Sequence, residues 1–159
     1  MAEGSLPGRG RESERGALNG PPRLPLDAAL PHGRVVVGIG IDLCEVPRVA
    51  RAIARHGDRF LARLFRDGEI SRSRSSPALA EHVAGLFAAK EAAMKALGTG
   101  IRGVAFREVA LAREPGGPPR LALYGRAATR AAALGAGAAH VTITHTRQMA
   151  AAVVLLLAP

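Results

Sequence analysis

A chain of 159 residues fits one domain of ordinary size, and 48% apolar residues are enough for a core. Aromatics make up only 3% and Trp is absent, so that core is built from Val, Leu, Ile and Ala. The net charge is +9; within residues 1–33, Arg9, Arg11, Arg15 and Arg23 cancel Glu3, Glu12, Glu14 and Asp27, so the whole excess falls on residues 34–159 and favours an acidic or phosphorylated partner.

Residues 1–33 are rich in Gly, Pro, Arg and Glu, show no periodicity, and read as a disordered extension ahead of a domain at 34–159. They lack the apolar stretch of a signal peptide, and no run of about 18 apolar residues marks a membrane span anywhere. Val35 to Ile41 alternates as a strand. Val35, Val37, Ile39 and Ile41 share one face, and Gly38, Gly40 and Asp42 the other. The glycines leave that second face open to a ligand or another backbone. Asp42 opens an Asp-Leu-Cys-Glu pattern with Pro47 close behind, which by itself reads as a helix N-cap. Cys44 is the only cysteine, which excludes an intrachain disulfide and fits a reducing cytoplasm; beside Leu43 and Val46 it reads as a packing thiol, not a nucleophile.

Residues 46–64 predict an amphipathic helix with a break at Gly57. Val46, Val49, Ile53, Phe60 and Leu64 form its apolar side, and Arg48, Arg51, Arg55, Arg59 and Arg63 a stripe opposite, with Asp58 off it. Like charges at this spacing repel, so the stripe suits an acidic surface. Arg66 to Pro77 is a polar connection. A helix starting near Pro77 or Leu79 runs through Gly85-Leu-Phe-Ala-Ala-Lys-Glu-Ala-Ala-Met-Lys-Ala-Leu-Gly-Thr-Gly100 and stops at its glycines. Val104–Arg113 and Arg120–Tyr124 read as strands, Arg126–Leu134 as a helix ending at Gly135, and Val141–Thr144 with Ala150–Leu157 as a closing antiparallel pair. The last strand is apolar on both faces and is expected at the centre of its sheet.

Lys90, Glu91 and Lys95 lie on or near one face of the glycine-terminated helix. Glu91 and Lys95 are one turn apart. A carboxylate can hold a hard cation through oxygen, and ammonium groups can meet phosphate charge, so the segment suits a metal-bound polyphosphate. Taken singly, the pieces have plain readings: a surface ion pair for Glu91 and Lys95, a cap for Gly98-Thr99-Gly100, a structural histidine for His145.

Three segments together, Gly38-Ile-Gly-Ile-Asp42, Phe87-Ala-Ala-Lys-Glu91 through Gly100, and His145-Thr146 before an alanine-rich strand, resemble the short class of 4'-phosphopantetheinyl transferases, the holo-[acyl-carrier-protein] synthases, over residues 34–157. The resemblance implies an α+β fold of antiparallel sheet packed with helices, as a single half-unit that assembles into a homotrimer with active sites between subunits. It implies transfer of the 4'-phosphopantetheine group from coenzyme A to a serine of apo acyl carrier protein, in fatty acid or polyketide synthesis, in the cytoplasm. Mg²⁺ would be held by Asp42 and Glu91. Lys95 would stabilise the leaving phosphate, and Glu91 would help deprotonate the serine, directly or through a metal-bound water. Lys90, Lys95, Gly98, Thr99, Gly100 and His145 would bind coenzyme A. Acyl carrier proteins are acidic, which makes them the partner for Arg48, Arg51, Arg55 and Arg59. The family starts just before the first strand, and a GC-rich gene offers valine-type start codons at Val35 or Val36, so residues 1–33 also fit a start placed too early.

There are departures from the family pattern. Leu86 stands where arginine is common, Pro118 where a turn lysine is, and Thr144 where serine is usual. Loss of Arg at 86 and Lys at 118 removes two phosphate or turn contacts, which leaves a catalytically weakened homologue as an alternative. The charge and the arginine stripe also suit a nucleic-acid-binding module, although Tyr124 and four Phe make a poor set of stacking platforms. A carboxylate hydrolase acting on coenzyme A is the remaining alternative.

Overall fold

The computed structural model describes residues 33–113 and 116–159; the expected disorder of residues 1–33 falls, apart from Gly33, outside them. Strand β1 (Val35–Glu45) is followed by α1 (Val46–Leu64), α2 (Leu79–Ala96), the single turn α3 (Gly100–Gly103), a 3₁₀ turn at Phe106–Glu108, β2 (Val109–Arg113), β3 (Pro119–Leu123), α4 (Gly125–Ala133), β4 (Ala138–His145) and β5 (Met149–Ala158). β5 lies between β1 and β4, antiparallel to both, and β2 pairs with β3 in a second small sheet. This is the expected α+β arrangement with the last strand central.

The core sits between the larger sheet and α2. Ala150, Ala152, Val154 and Leu156 of β5 face the helix and are buried. Each large aliphatic side chain buried there contributes about 1.5–3 kcal/mol. α2 is buried on most sides because it also meets α1 and β2. The open face at Gly38 and Gly40 is taken by backbone, not ligand: a Cβ at either position would fall on the carbonyl oxygens of Ala96 and Ala92. These glycines let α2 lie directly on β1.

Three local expectations are corrected. The register slips between Val36 and Gly38, so Val35 and Val36 are both exposed while Val37 packs against the core. Asp42 is no N-cap: it pairs with Ala152 inside β1, and α1 starts at Val46 with Glu45 as the capping position. Residues 104–108 are not strand. The Glu108 carboxylate accepts from the Ala105 amide at 2.7 Å and closes a turn before β2.

α1 breaks at Gly57 (φ 53°, ψ −137°), a conformation open mainly to glycine. Arg48, Arg51 and Arg55 therefore share an exposed face of the first half, and Arg59 and Arg63 lie beyond the break. Asp58 pairs with Arg74 at 2.8 Å.

Candidate active site

β1 and α2 bring together Asp42, Glu91 and Lys95. Lys95 Nζ donates to Asp42 Oδ1 at 2.8 Å and to the Ile41 carbonyl at 2.9 Å. Its partner is thus on β1, not Glu91 one turn back on its own helix. Glu91 is half-buried beside them. Burial pushes its carboxyl above the usual range and the Asp42 charge adds to this, while Lys95 and Arg48 oppose it. The two carboxylates therefore repel across the gap between β1 and α2.

That repulsion fits a hard divalent cation. Mg²⁺ is held by one or two carboxylates, with phosphate and water completing its shell. Among the described residues no cluster of three or more His, Cys, Asp or Glu could form a full protein cage. Cys44 lies on the same strand, but burial, then Asp42, push its thiol up to about 11, so it stays protonated and packs in the core.

Lys90 does not join this group. It is fully buried and its ammonium contacts the Glu69 carboxylate (2.9 Å) and the carbonyls of Phe106 (3.0 Å) and Val109. Its expected role in phosphate binding is corrected by that burial, since neighbouring positions on a helix point about 100° apart. Glu69 also accepts from the amides of Arg66 and Leu111 (3.0 Å). The pair ties the turn after α1 to α2 and β2.

The glycine turn is partly committed to capping. Gly98 (φ 69°) donates to the Lys95 carbonyl at 2.9 Å, and Thr99 to the Met94 carbonyl at 3.1 Å, which closes the C-terminus of α2. Of the expected trio, Gly100 has the amide not taken up by this cap. Arg130 Nε adds a bond to the Leu97 carbonyl at 2.9 Å.

His145 ends β4 at the opposite end of α2, its Nδ1 3.6 Å from Glu81 Oε2. Glu81 and Glu91 are ten residues apart, a rise of about 15 Å. One chain therefore does not bring His145 to the Asp42–Glu91 pair. His145 instead lines a cleft of about 680 Å³ with walls from the 68–72 turn, the start of α2, β2 and β4. His82, Arg72 and Arg113 line it too, and sequence reasoning did not single them out.

Residues 38–153 match the 4'-phosphopantetheinyl transferase superfamily. The chain is 48% identical over 123 residues to the holo-[acyl-carrier-protein] synthase of Koribacter versatilis and 50% identical over 123 residues to that of Solidesulfovibrio magneticus; each alignment covers 77% of this chain and 98% of the relative. Among solved structures, the holo-(acyl-carrier-protein) synthase of Bacillus anthracis in complex with CoA (3',5'-ADP) superposes with a TM-score of 0.64 at 32% identity, covering 78% of this chain and 98% of that one. The Helicobacter pylori synthase in complex with coenzyme A gives 0.64 at 28% identity, covering 74% and 98%. The chain belongs to the 4'-phosphopantetheinyl transferase superfamily.

Proposed function

We propose that this chain transfers the 4'-phosphopantetheine group from coenzyme A to a serine of apo acyl carrier protein, with Asp42, Glu91 and Lys95 at the reacting centre. The observation that carries the assignment is the meeting of two carboxylates and an ammonium from β1 and α2. Asp42 and Glu91 would hold Mg²⁺, which would neutralise charge on the pyrophosphate. Glu91 takes the proton of the acceptor serine, directly or through a water. A serine oxygen–phosphorus bond forms, the pyrophosphate P–O bond breaks, and adenosine 3',5'-bisphosphate departs with the extra charge. Lys95, half-exposed and already beside Asp42, meets that charge.

The chain works as a homotrimer with its site shared between copies. Ile39, Ile41 and Leu43 project from β1 on the side away from α2 and are 60–67% exposed, an apolar strip suited to burial against another subunit. The distance along α2 between His145 and Asp42–Glu91 supports the same reading, because a second copy could bring its His145 cleft to the first copy's carboxylates. The acidic carrier protein docks on Arg48, Arg51 and Arg55, with Arg59 beyond the break. Arg48 is only six positions from Asp42, and its charge is felt at Glu91. The substrates place the reaction in the cytoplasm.

The test is direct. The purified protein is incubated with apo carrier protein, coenzyme A and Mg²⁺, and the carrier is weighed by mass spectrometry. The expected result is a gain equal to one 4'-phosphopantetheine group, abolished by chelator. An unmodified carrier protein, or coenzyme A cleaved without a carrier, contradicts the assignment.

A further inference from the structure

The lysine that precedes Glu91 has no proton free for a ligand. An ammonium carries three N–H donors. Those of Lys90 go to Glu69 and to the carbonyls of Phe106 and Val109, and the Phe65 ring lies 5.0 Å away. Burial pushes this ammonium below the usual lysine range, and the bond to Glu69 opposes that push. Glu69 is engaged at both oxygens. Oε1 accepts from the Arg66 amide and from Lys90. Oε2 accepts from the Leu111 amide at 3.0 Å and lies 2.9 Å from Lys90 Nζ. Arg66 belongs to the turn after α1, and Leu111 to the middle of β2. One carboxylate thus joins that turn, β2 and α2. A side-chain amide in its place would offer one oxygen to two N–H donors. Gly68, Glu69 and Leu111 line the His145 cleft, so the pair stands directly behind its wall. Two more bonds hold the turn, Ser71 N to His82 Nε2 at 3.3 Å and Arg66 Nη1 to the Arg107 carbonyl at 3.1 Å. Both are exposed, where water competes for the same groups.

We propose that Lys90 and Glu69 are positioning residues for coenzyme A: the pair fixes the 66–69 turn and β2 against α2 before the ligand arrives, so the cleft meets it in one shape. The inference rests on the transfer reading, under which the cleft of His145 receives part of coenzyme A. Lys90 then acts on coenzyme A through Glu69, without touching it. Stability alone does not call for charges here, because apolar residues of the same volume often match or surpass a buried ion pair. An apolar pair cannot accept from two amides on separate elements at once. A wall left loose has to be ordered by the ligand, and each residue so ordered costs about tenfold in affinity.

The experiment compares the native full chain with the double variant Lys90→Met, Glu69→Gln, which leaves no buried charge unpaired. Thermal melts by circular dichroism establish that the variant is folded at the assay temperature. Calorimetric titration with coenzyme A and Mg²⁺ gives Kd, and transfer kinetics give kcat and KM for each substrate. Hydrogen exchange read by mass spectrometry follows residues 66–72 and 109–113. In the variant, Kd and KM for coenzyme A should rise about tenfold. KM for carrier protein and kcat at saturating coenzyme A should stay nearly as they were. Exchange should quicken in the two segments and not in α2 or β5. A folded variant that binds coenzyme A as the native protein does overturns the proposal. So does a fall in kcat with KM for coenzyme A unchanged, or a loss that falls equally on both substrates. Should the double variant not fold, Glu69→Gln alone, which keeps the size and one oxygen, is titrated in its place with the same expectation. A native protein that binds coenzyme A about tenfold more tightly than the variant yet modifies no carrier would defeat the transfer assignment and leave this inference standing.

Discussion

Lys95 of α2 is tied to Asp42 of β1 at 2.8 Å, across 53 positions of sequence, and not to Glu91 four positions away. The ion pair brings an ammonium to the edge of two repelling carboxylates. It is half-exposed on the lysine side, so solvent screens it and its contribution to stability is small. Its weight falls on the protonation of Glu91.

Lys95→Met should therefore lower kcat and also move the acid limb of the pH–rate profile upward. The sign follows from the charges: Lys95 holds the Glu91 carboxyl down, and without it burial and Asp42 raise that carboxyl further. Activity needs the ionised form, so it should be lost at a higher pH as acid is added. A profile of kcat/KM against pH in both proteins checks this; an acid limb that stays in place contradicts the role of Glu91 as base.

Lys90→Met should destabilise the protein by about 3–5 kcal/mol, because it leaves the Glu69 carboxylate buried without its partner. Denaturant unfolding measures the loss.

Gly40→Ala should cost about 1–3 kcal/mol or more, because the new methyl group meets the Ala92 carbonyl oxygen and α2 must lift from β1. Thermal unfolding reads the cost. The same lift separates Glu91 from Asp42, so activity should fall further than stability alone explains.

These outcomes bear on what the sequence made legible. The central β5 could be read because it is apolar on both faces, and the amphipathic first half of α1 because one side is almost pure arginine. Asp42, Glu91 and Lys95 could be picked out as a set. Lys90 could not be separated from them, because α2 is buried nearly all round and its helical pattern has no clear polar side. Glu69 gave no signal: one of two acids in an arginine-rich turn, it owes its role to a lysine 21 positions later. Arg72, His82 and Arg113 converge only because the turn, α2 and β2 wrap one cleft, and such convergence leaves no periodicity.

Ile41→Glu should give a monomer in sedimentation velocity and little transfer activity, since it places a charge in the apolar strip on the outer face of β1. Mixed trimers offer a second measurement. Asp42→Ala and His145→Ala, each inactive alone, should regain part of the activity when unfolded and refolded together. Failure to regain any would mean that each copy supplies its own complete site.

Arg51→Glu combined with Arg55→Glu should raise KM for carrier protein and flatten its dependence on salt, with KM for coenzyme A nearly unchanged. Charges at the rim of an interface act mainly on association, and salt screens them over about 8–10 Å. Both side chains are exposed, so circular dichroism should report an unaltered fold. An unchanged KM for carrier protein in the folded variant would leave the stripe as a solvated face.

The cation resting on Tyr124 has a practical consequence. The Arg66 guanidinium sits 4.0 Å from the ring centre, and the Arg66 amide is bonded to Glu69 at the lip of the cleft. With no tryptophan and a single tyrosine, ultraviolet emission excited beyond the phenylalanine band comes from that ring. Any shift of the 66–69 turn when a nucleotide enters would alter the contact and hence the signal, so the protein carries its own fluorescent reporter of ligand entry, with no dye to attach.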